Sequence, residues 1–219
     1  MADEVSAGVR RLPVYMVLDC SGSMSGEPIE AVRMGLRALV SDLQGDPQAL
    51  ETAWLSVISF DSSARQPVSL TEIGSFQEPN LNAGGTTAMG EALKTLLQCV
   101  DREVRKTTAD QKGDYKPLVF IMTDGMPTDS WESAADEVKR RRLGNIIGCA
   151  AGPDADDAVL KRVTETVVRL QDVSPGTLGA FMKWVSASIS TTSASVSAQG
   201  EAAVALPPPP TDQGIVIVP

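Results

Sequence analysis

Five short apolar runs alternate along the chain with longer stretches whose apolar positions recur at helical spacing. The first run, residues 14–18, ends at Asp19-Cys20-Ser21-Gly22-Ser23-Met24. A helical stripe of Ile29, Val32, Leu36, Leu39, Val40 and Leu43 follows, with Pro28 suited to its first turn and Gly45-Asp46-Pro47 as its stop. The second run is residues 53–60. Residues 66–70 read as a weaker strand, which Pro67 assigns to a sheet edge. After a loop at 82–87, a helix over about 88–104 carries Met89, Leu93, Leu96, Leu97 and Val100 on one face.

Residues 117–122 form a continuous apolar run of the kind buried on both faces of a sheet. Asp129 and Glu132 have capping-box spacing for the helix that holds Val138. Strands at 145–151 and 167–170 flank a short helix near 158–163. A last helix over about 176–189 buries Leu178, Phe181, Val185 and Ile189. Strand–helix alternation of this type predicts an α/β protein, a parallel sheet with helices on both faces.

The organisation read from this pattern is an extension at 1–9, one domain at 10–192 and a tail at 193–219. The tail is small and polar at first, then carries Pro207–Pro210 and ends Ile215-Val216-Ile217-Val218-Pro219. It reads either as a disordered end or as a strand added to a sheet edge, its own or a partner's.

Composition narrows the function. The formal net charge of −9 argues against nucleic acid as the main partner. The tight basic run Lys139-Arg140-Arg141-Arg142 closes a predicted helix, where cations complement the helix dipole; a basic docking site is the alternative. There is no histidine, and Cys20, Cys99 and Cys149 are scattered, which excludes a zinc site of ordinary spacing. The scattered cysteines fit a reducing compartment. No leader pattern and no run near the ~20 apolar residues of a membrane span is legible, so the cytoplasm is the expected location and no membrane partner is expected.

Three polar clusters fall at predicted strand ends or on a loop leading to a helix. They are Asp19-x-Ser21-x-Ser23, Gly84-Gly85-Thr86-Thr87 and Thr123-Asp124-Gly125. In a doubly wound sheet, ligands sit beyond the carboxyl ends of the strands, at the switch point. Two carboxylates with hydroxyls between them are hard-oxygen chemistry, suited to Mg²⁺. Gly22 and Gly125 are expected to let the backbone bend beside Ser21 and Asp124.

The order Asp-x-Ser-x-Ser, then Thr, then Thr-Asp-Gly resembles the metal-ion-dependent adhesion site of von Willebrand factor A (VWA) domains, over about residues 10–190. Within that family the chain is similar to the tellurite-resistance TerY-like bacterial proteins. The stretches that carry this are Arg11-Leu-Pro-Val-Tyr15, Ser21-Gly-Ser-Met-Ser-Gly-Glu-Pro-Ile29, Met89-Gly-Glu-Ala-Leu93, Gly113-Asp-Tyr-Lys-Pro117, Thr123-Asp-Gly-Met-Pro-Thr-Asp129 and Lys183-Trp-Val-Ser-Ala187. The resemblance implies a doubly wound, Rossmann-like fold, a mostly parallel sheet with one antiparallel edge strand. It implies one divalent cation, Mg²⁺ before Mn²⁺ or Ca²⁺, held by Asp19, Ser21, Ser23, Thr87 and Asp124. Thr87 is preferred to Thr86 because its distance from Leu93 matches the family's spacing. The cysteine-rich zinc module that follows the A domain in some TerY relatives is not found in this sequence.

The function implied is a non-catalytic module that binds an acidic side chain of a protein partner. TerY-like proteins are associated with a serine/threonine kinase and a PP2C-type phosphatase, which implies an adaptor in stress-linked phosphorylation signalling. An alternative within the family is a cofactor of an AAA-type ATPase. An alternative of another class, a Mg²⁺-dependent phosphohydrolase, is disfavoured: Ser21 stands where a second catalytic Asp would be needed, and no phosphate-binding loop is present.

Overall fold

The computed structural model describes residues 10–199 and 206–219. The strands run β1 (Leu12–Asp19), β2 (Ala53–Phe60), β3 (Ala64–Glu72), β4 (Leu118–Thr123), β5 (Asn145–Ala151), β6 (Thr166–Leu170) and β7 (Ile215–Ile217). The helices are α1 (Glu27–Gly45), α2 (Pro47–Thr52), α3 (Met89–Glu103), α4 (Glu132–Arg141), α5 (Asp157–Val163) and α6 (Pro175–Gln199). The strands form one sheet in the order β3-β2-β1-β4-β5-β6-β7. β2, β1, β4, β5 and β6 are parallel, and both edge strands are antiparallel. The architecture is the doubly wound α/β sheet expected, with a second antiparallel edge added by the tail.

Alternation along the central strands sorts the core into two layers. Leu12, Val14, Met16 and Leu18 of β1, with Leu118, Phe120 and Met122 of β4, face α1 and α6. Tyr15 and Val17, with Val119 and Ile121, face α3, α4 and α5. All eight residues of β1 and all six of β4 are buried, which explains why their sequences read as unbroken apolar runs. Pro67 sits in a bulge of β3: Val57 pairs with Val68 and Ser59 with Arg65, so two residues oppose Ile58. A proline that cannot donate to the ladder is tolerated at such a position on an edge strand.

Two helical readings are corrected. α6 continues ten residues beyond 189, to Gln199. Asp129 and Glu132 do not cap α4, whose N-cap is Trp131 with no side-chain bond. Asp129 instead accepts the backbone N–H groups of Gly90 and Glu91, 2.9 Å each, and so caps α3 from across the loop.

The tail returns along the domain. Trp184 Nε1 donates to the Pro207 carbonyl at 2.9 Å, and β7 then pairs with β6 through Ile215–Leu170 and Ile217–Val168. Ile215 is completely buried against the α6 side of the sheet. The strand reading of the tail is therefore realised on the chain's own edge, because Ile215 buries apolar surface that a free end would expose. Ile215→Ala should lower stability by about 2–4 kcal/mol, read from the urea midpoint with an unchanged m value.

Among the described residues no helix is long and apolar enough to cross a membrane. The three cysteines are free and buried, and burial pushes the Cys20 thiol up to about 12.

Candidate metal centre

The strand order reverses between β1 and β4, each neighbouring the other while their crossovers leave in opposite directions. Asp19 is the last residue of β1, and Asp124 directly follows β4. The two carboxylates therefore meet at the switch point, where an open α/β sheet presents its ligand site.

Asp19 is fully buried. Its Oδ1 accepts the Ser21 backbone N–H at 2.8 Å and its Oδ2 accepts the Thr123 hydroxyl at 2.6 Å. These bonds fix the carboxylate's orientation. Burial pushes its pKa above the usual carboxylate range, the hydrogen bonds from Thr123 and Ser21 oppose that rise, and the negative charge of Asp124 adds to it. Ser21 and Ser23 place their hydroxyl oxygens 3.0 Å apart, and Ser23 donates to Asp124 Oδ1 at 2.8 Å. Asp124 is also buried, and burial raises its carboxyl pKa, with Asp154 contributing in the same direction.

The loop around Ser21 is held by backbone bonds to the loop before α3. Gly22 N–H donates to Gly85 O at 3.1 Å, and Gly84 N–H donates to Cys20 O at 2.9 Å. The left-handed glycine here is Gly85, at φ 73°, and a Cβ on it would lie 2.3 Å from Ser62 Oγ. Gly22 and Gly125 lie outside the left-handed region. Their value is close approach: a Cβ on Gly22 would lie 3.2 Å from Gly85 O, and one on Gly125 would lie 3.4 Å from Thr87 Oγ1.

That last distance places Thr87 beside the Asp124 turn. Thr87 is buried, and its hydroxyl makes no hydrogen bond to a described residue. Its backbone is latched on both sides by Thr128, whose Oγ1 accepts from Thr87 N and whose N–H donates to Thr87 O. Thr86 is exposed and turns its hydroxyl to Ser62 Oγ at 3.3 Å. The structure thus gathers Asp19, Ser21, Ser23, Thr87 and Asp124 in one place and leaves Thr86 outside it.

The sequence reading assigned no role to Thr123 or Thr128. Both are visible only as hydroxyls near Asp124, and neither spacing nor periodicity states which group each will bond. Gly90 is a third such residue: a Cβ there would lie 2.5 Å from Ser130 O and 2.8 Å from Trp131 Cα. Gly90→Ala should lower stability by about 1–3 kcal/mol despite alanine's better helix propensity, as equilibrium urea unfolding would show.

The donor set fits a hard divalent cation. Neither Asp19 nor Asp124 has an ion-pair partner among the described residues. Two buried carboxylates without a compensating cation are costly to ionise in a low-dielectric site. No cluster of three or more His, Cys, Asp or Glu occurs among the described residues. The candidate donors here are two carboxylates and three hydroxyls, oxygen ligands throughout, and a soft thiolate-preferring metal has no purchase on them.

An open α/β sheet with polar loops converging at its switch point defines a class of ligand-binding domain. The sequence model of the von Willebrand factor type A domain matches residues 14–174, and the chain belongs to that family. It is a VWA-type protein-interaction module. An uncharacterised protein of Synechocystis sp. is 33% identical over 123 residues, which are 53% of this chain and 26% of that protein. The chain thus spans about a quarter of that relative's length. The VWA protein of Catenulispora acidiphila superposes with a TM-score of 0.62 at 20% identity, over 83% of this chain and 43% of that one. The open conformation of the pilus adhesin SpaC from Lactobacillus rhamnosus GG gives 0.64 at 16%, over 84% and 30%. Proximal thread matrix protein 1 of the mussel byssus, solved with zinc in its MIDAS motif, gives 0.58 at 16%, over 81% and 48%. At these identities the structures share the fold.

Proposed function

We propose that the chain is a metal-dependent protein-binding module. Asp19, Ser21, Ser23, Thr87 and Asp124 hold one divalent cation, Mg²⁺ by preference and Mn²⁺ or Ca²⁺ as alternatives. The observation that carries this reading is the pair of buried carboxylates at the switch point, without an ion-pair partner among the described residues and ringed by hydroxyls, of which Thr87's makes no hydrogen bond to a described residue. A cation bound there supplies a Lewis-acidic contact for a carboxylate of a partner protein. The chain's own residues do the rest. Thr123 and the Ser21 N–H fix the Asp19 carboxylate, Ser23 positions Asp124, and Thr128 holds the Thr87 backbone. The mussel protein's zinc-occupied MIDAS motif on the same fold supports the reading by analogy.

The TerY-like stretches extend it to an adaptor in the cytoplasm, joined to a serine/threonine kinase and a PP2C-type phosphatase in a stress-linked phosphorylation system. The sequence resemblance alone supports that extension. An AAA-type ATPase is the alternative partner. The test is a pull-down from the native cell with the tagged chain, probed for a serine/threonine kinase and a PP2C-type phosphatase, in Mg²⁺, in chelator and with Asp19→Ala in Mg²⁺. Recovery in Mg²⁺ that is lost in chelator and in Asp19→Ala is expected. Equal recovery in all three samples would remove the metal from the interface.

A further inference from the structure

The fold splits the basic run Lys139-Arg140-Arg141-Arg142. Arg140 pairs with Glu137 on its own helix, and Arg141 pairs with Asp101 of α3. Lys139 and Arg142 instead line a cleft of about 810 Å³ at the end of the sheet opposite the candidate metal centre. Lys116, which precedes β4, lines the same cleft. None of these three side chains makes a hydrogen bond or ion pair with a described residue. Lys139 has only a through-space attraction to Asp136, which is itself paired with Arg162.

The helix dipole accounts for basic residues in the last turn of α4. It does not account for Lys116, which belongs to no helix. Nor does it account for Arg142, which closes α4 at φ 46°, a left-handed conformation usually given to glycine. The cleft also presents Asn145, at the exposed start of β5, whose amide makes no hydrogen bond to a described residue. Among the described residues its one carboxylate is Glu165. Three cations to one anion among the described lining residues stand out on a chain of net charge −9. The volume lies in the range that accepts a short peptide or a drug-sized ligand.

We propose that this cleft docks an acidic peptide segment, rich in Asp and Glu, of a partner protein. Lys116, Lys139 and Arg142 pair with its carboxylates, and the Asn145 amide is free to bond its backbone. The domain is then two-ended, with one contact surface at each end of the sheet. The inference stands independently of the metal reading.

The experiment is fluorescence anisotropy of the labelled peptide Gly-Glu-Asp-Glu-Glu-Asp-Gly with the full chain in excess chelator, which silences any cation-dependent contact. Saturable binding that weakens with salt is expected. The triple variant Lys116→Glu, Lys139→Glu, Arg142→Glu should bind at least about tenfold more weakly. A control of equal charge change at exposed sites elsewhere, Arg37→Glu, Lys94→Glu, Lys183→Glu, should stay within about twofold. Arg142→Gly relaxes the helix end and removes the guanidinium, so it should be no less stable than wild type yet bind more weakly. Absence of saturable binding, equal loss in the two triple variants, or displacement of the peptide by tripolyphosphate or a single-stranded oligonucleotide at lower concentration would each overturn the proposal.

Discussion

Saturating Mg²⁺ should raise the melting temperature of the wild-type chain by about 5–10 °C and leave Asp19→Asn unmoved. A ligand at about a hundred times its dissociation constant stabilises by about 2.7 kcal/mol, and each kcal/mol moves the midpoint of a protein of this size by about 2–4 °C. The physical source is relief of charge. Asp19 and Asp124 are buried, repel each other and have no cationic hydrogen-bond partner among the described residues.

Without metal the same charge appears as pH dependence. Both carboxyls have folded pKa values raised above the unfolded ones, so the folded state binds their protons more tightly than the unfolded chain does. Their contribution therefore favours folding at low pH. It is lost progressively as pH rises from the unfolded carboxylate value, about 4, through the raised folded values. Asp19→Asn should flatten this slope in chelator, and scanning fluorimetry across that window reads it directly. A wild-type midpoint indifferent to Mg²⁺, Mn²⁺ and Ca²⁺ would remove the cation from the account.

The second large effect lies at the opposite end of the sheet. Arg11→Ala should destabilise by about 3–5 kcal/mol, measured by urea unfolding, because it strips a buried carboxylate of its partner. Arg11 is nearly buried, and the Asp114 side chain is only 3% exposed. Arg11 Nε donates to Asp114 Oδ1 at 2.9 Å, Nη2 donates to both Asp114 Oδ2 and the Glu103 carbonyl, and the guanidinium lies 4.6 Å from the Trp54 ring centroid. This one side chain ties the start of β1 to the end of α3, to the segment leading into β4 and to β2. With Arg11 removed, the Asp114 carboxylate keeps only the Arg105 backbone N–H as a hydrogen-bond donor among the described residues. Asp114→Ala added to Arg11→Ala should recover part of the loss, since no buried charge then remains unpaired. Equal stability of the single and double variants would show that packing against Trp54, rather than the charge, carries the effect.

The elements legible in the sequence are those whose residues answer to one demand. β1 and β4 are buried on both faces, so every position ahead of their polar last residues, Asp19 and Thr123, must be apolar, and the run declares itself. α1 and α3 have one buried stripe and read at helical period. The three polar clusters were also legible as neighbours, because strand ends are predictable and a doubly wound sheet brings them together at the switch point; the choice of five residues among them came from the family resemblance.

Residues whose partners lie far along the chain were not legible. Asp129 has the spacing of a cap for α4 and yet caps α3, because the loop after β4 crosses the start of α3 where Gly90 leaves room for it. α6 runs on to Gln199 through serine, threonine and alanine that weaken the periodic signal, while Ser188 and Thr192 return their hydroxyls to carbonyls four residues back. The tail's apolar end could pair with any open edge, and the fold chose β6, where Ile215 completes the core. The four-residue basic run looked uniform, and the packing of α4 against α3 divided it into paired and unpaired cations. The sequence by itself determined what must be buried, through the periodicity of its apolar residues. The tertiary structure alone decided which polar groups face one another, since a hydrogen bond or an ion pair is fixed by distance in space and leaves no period along the chain.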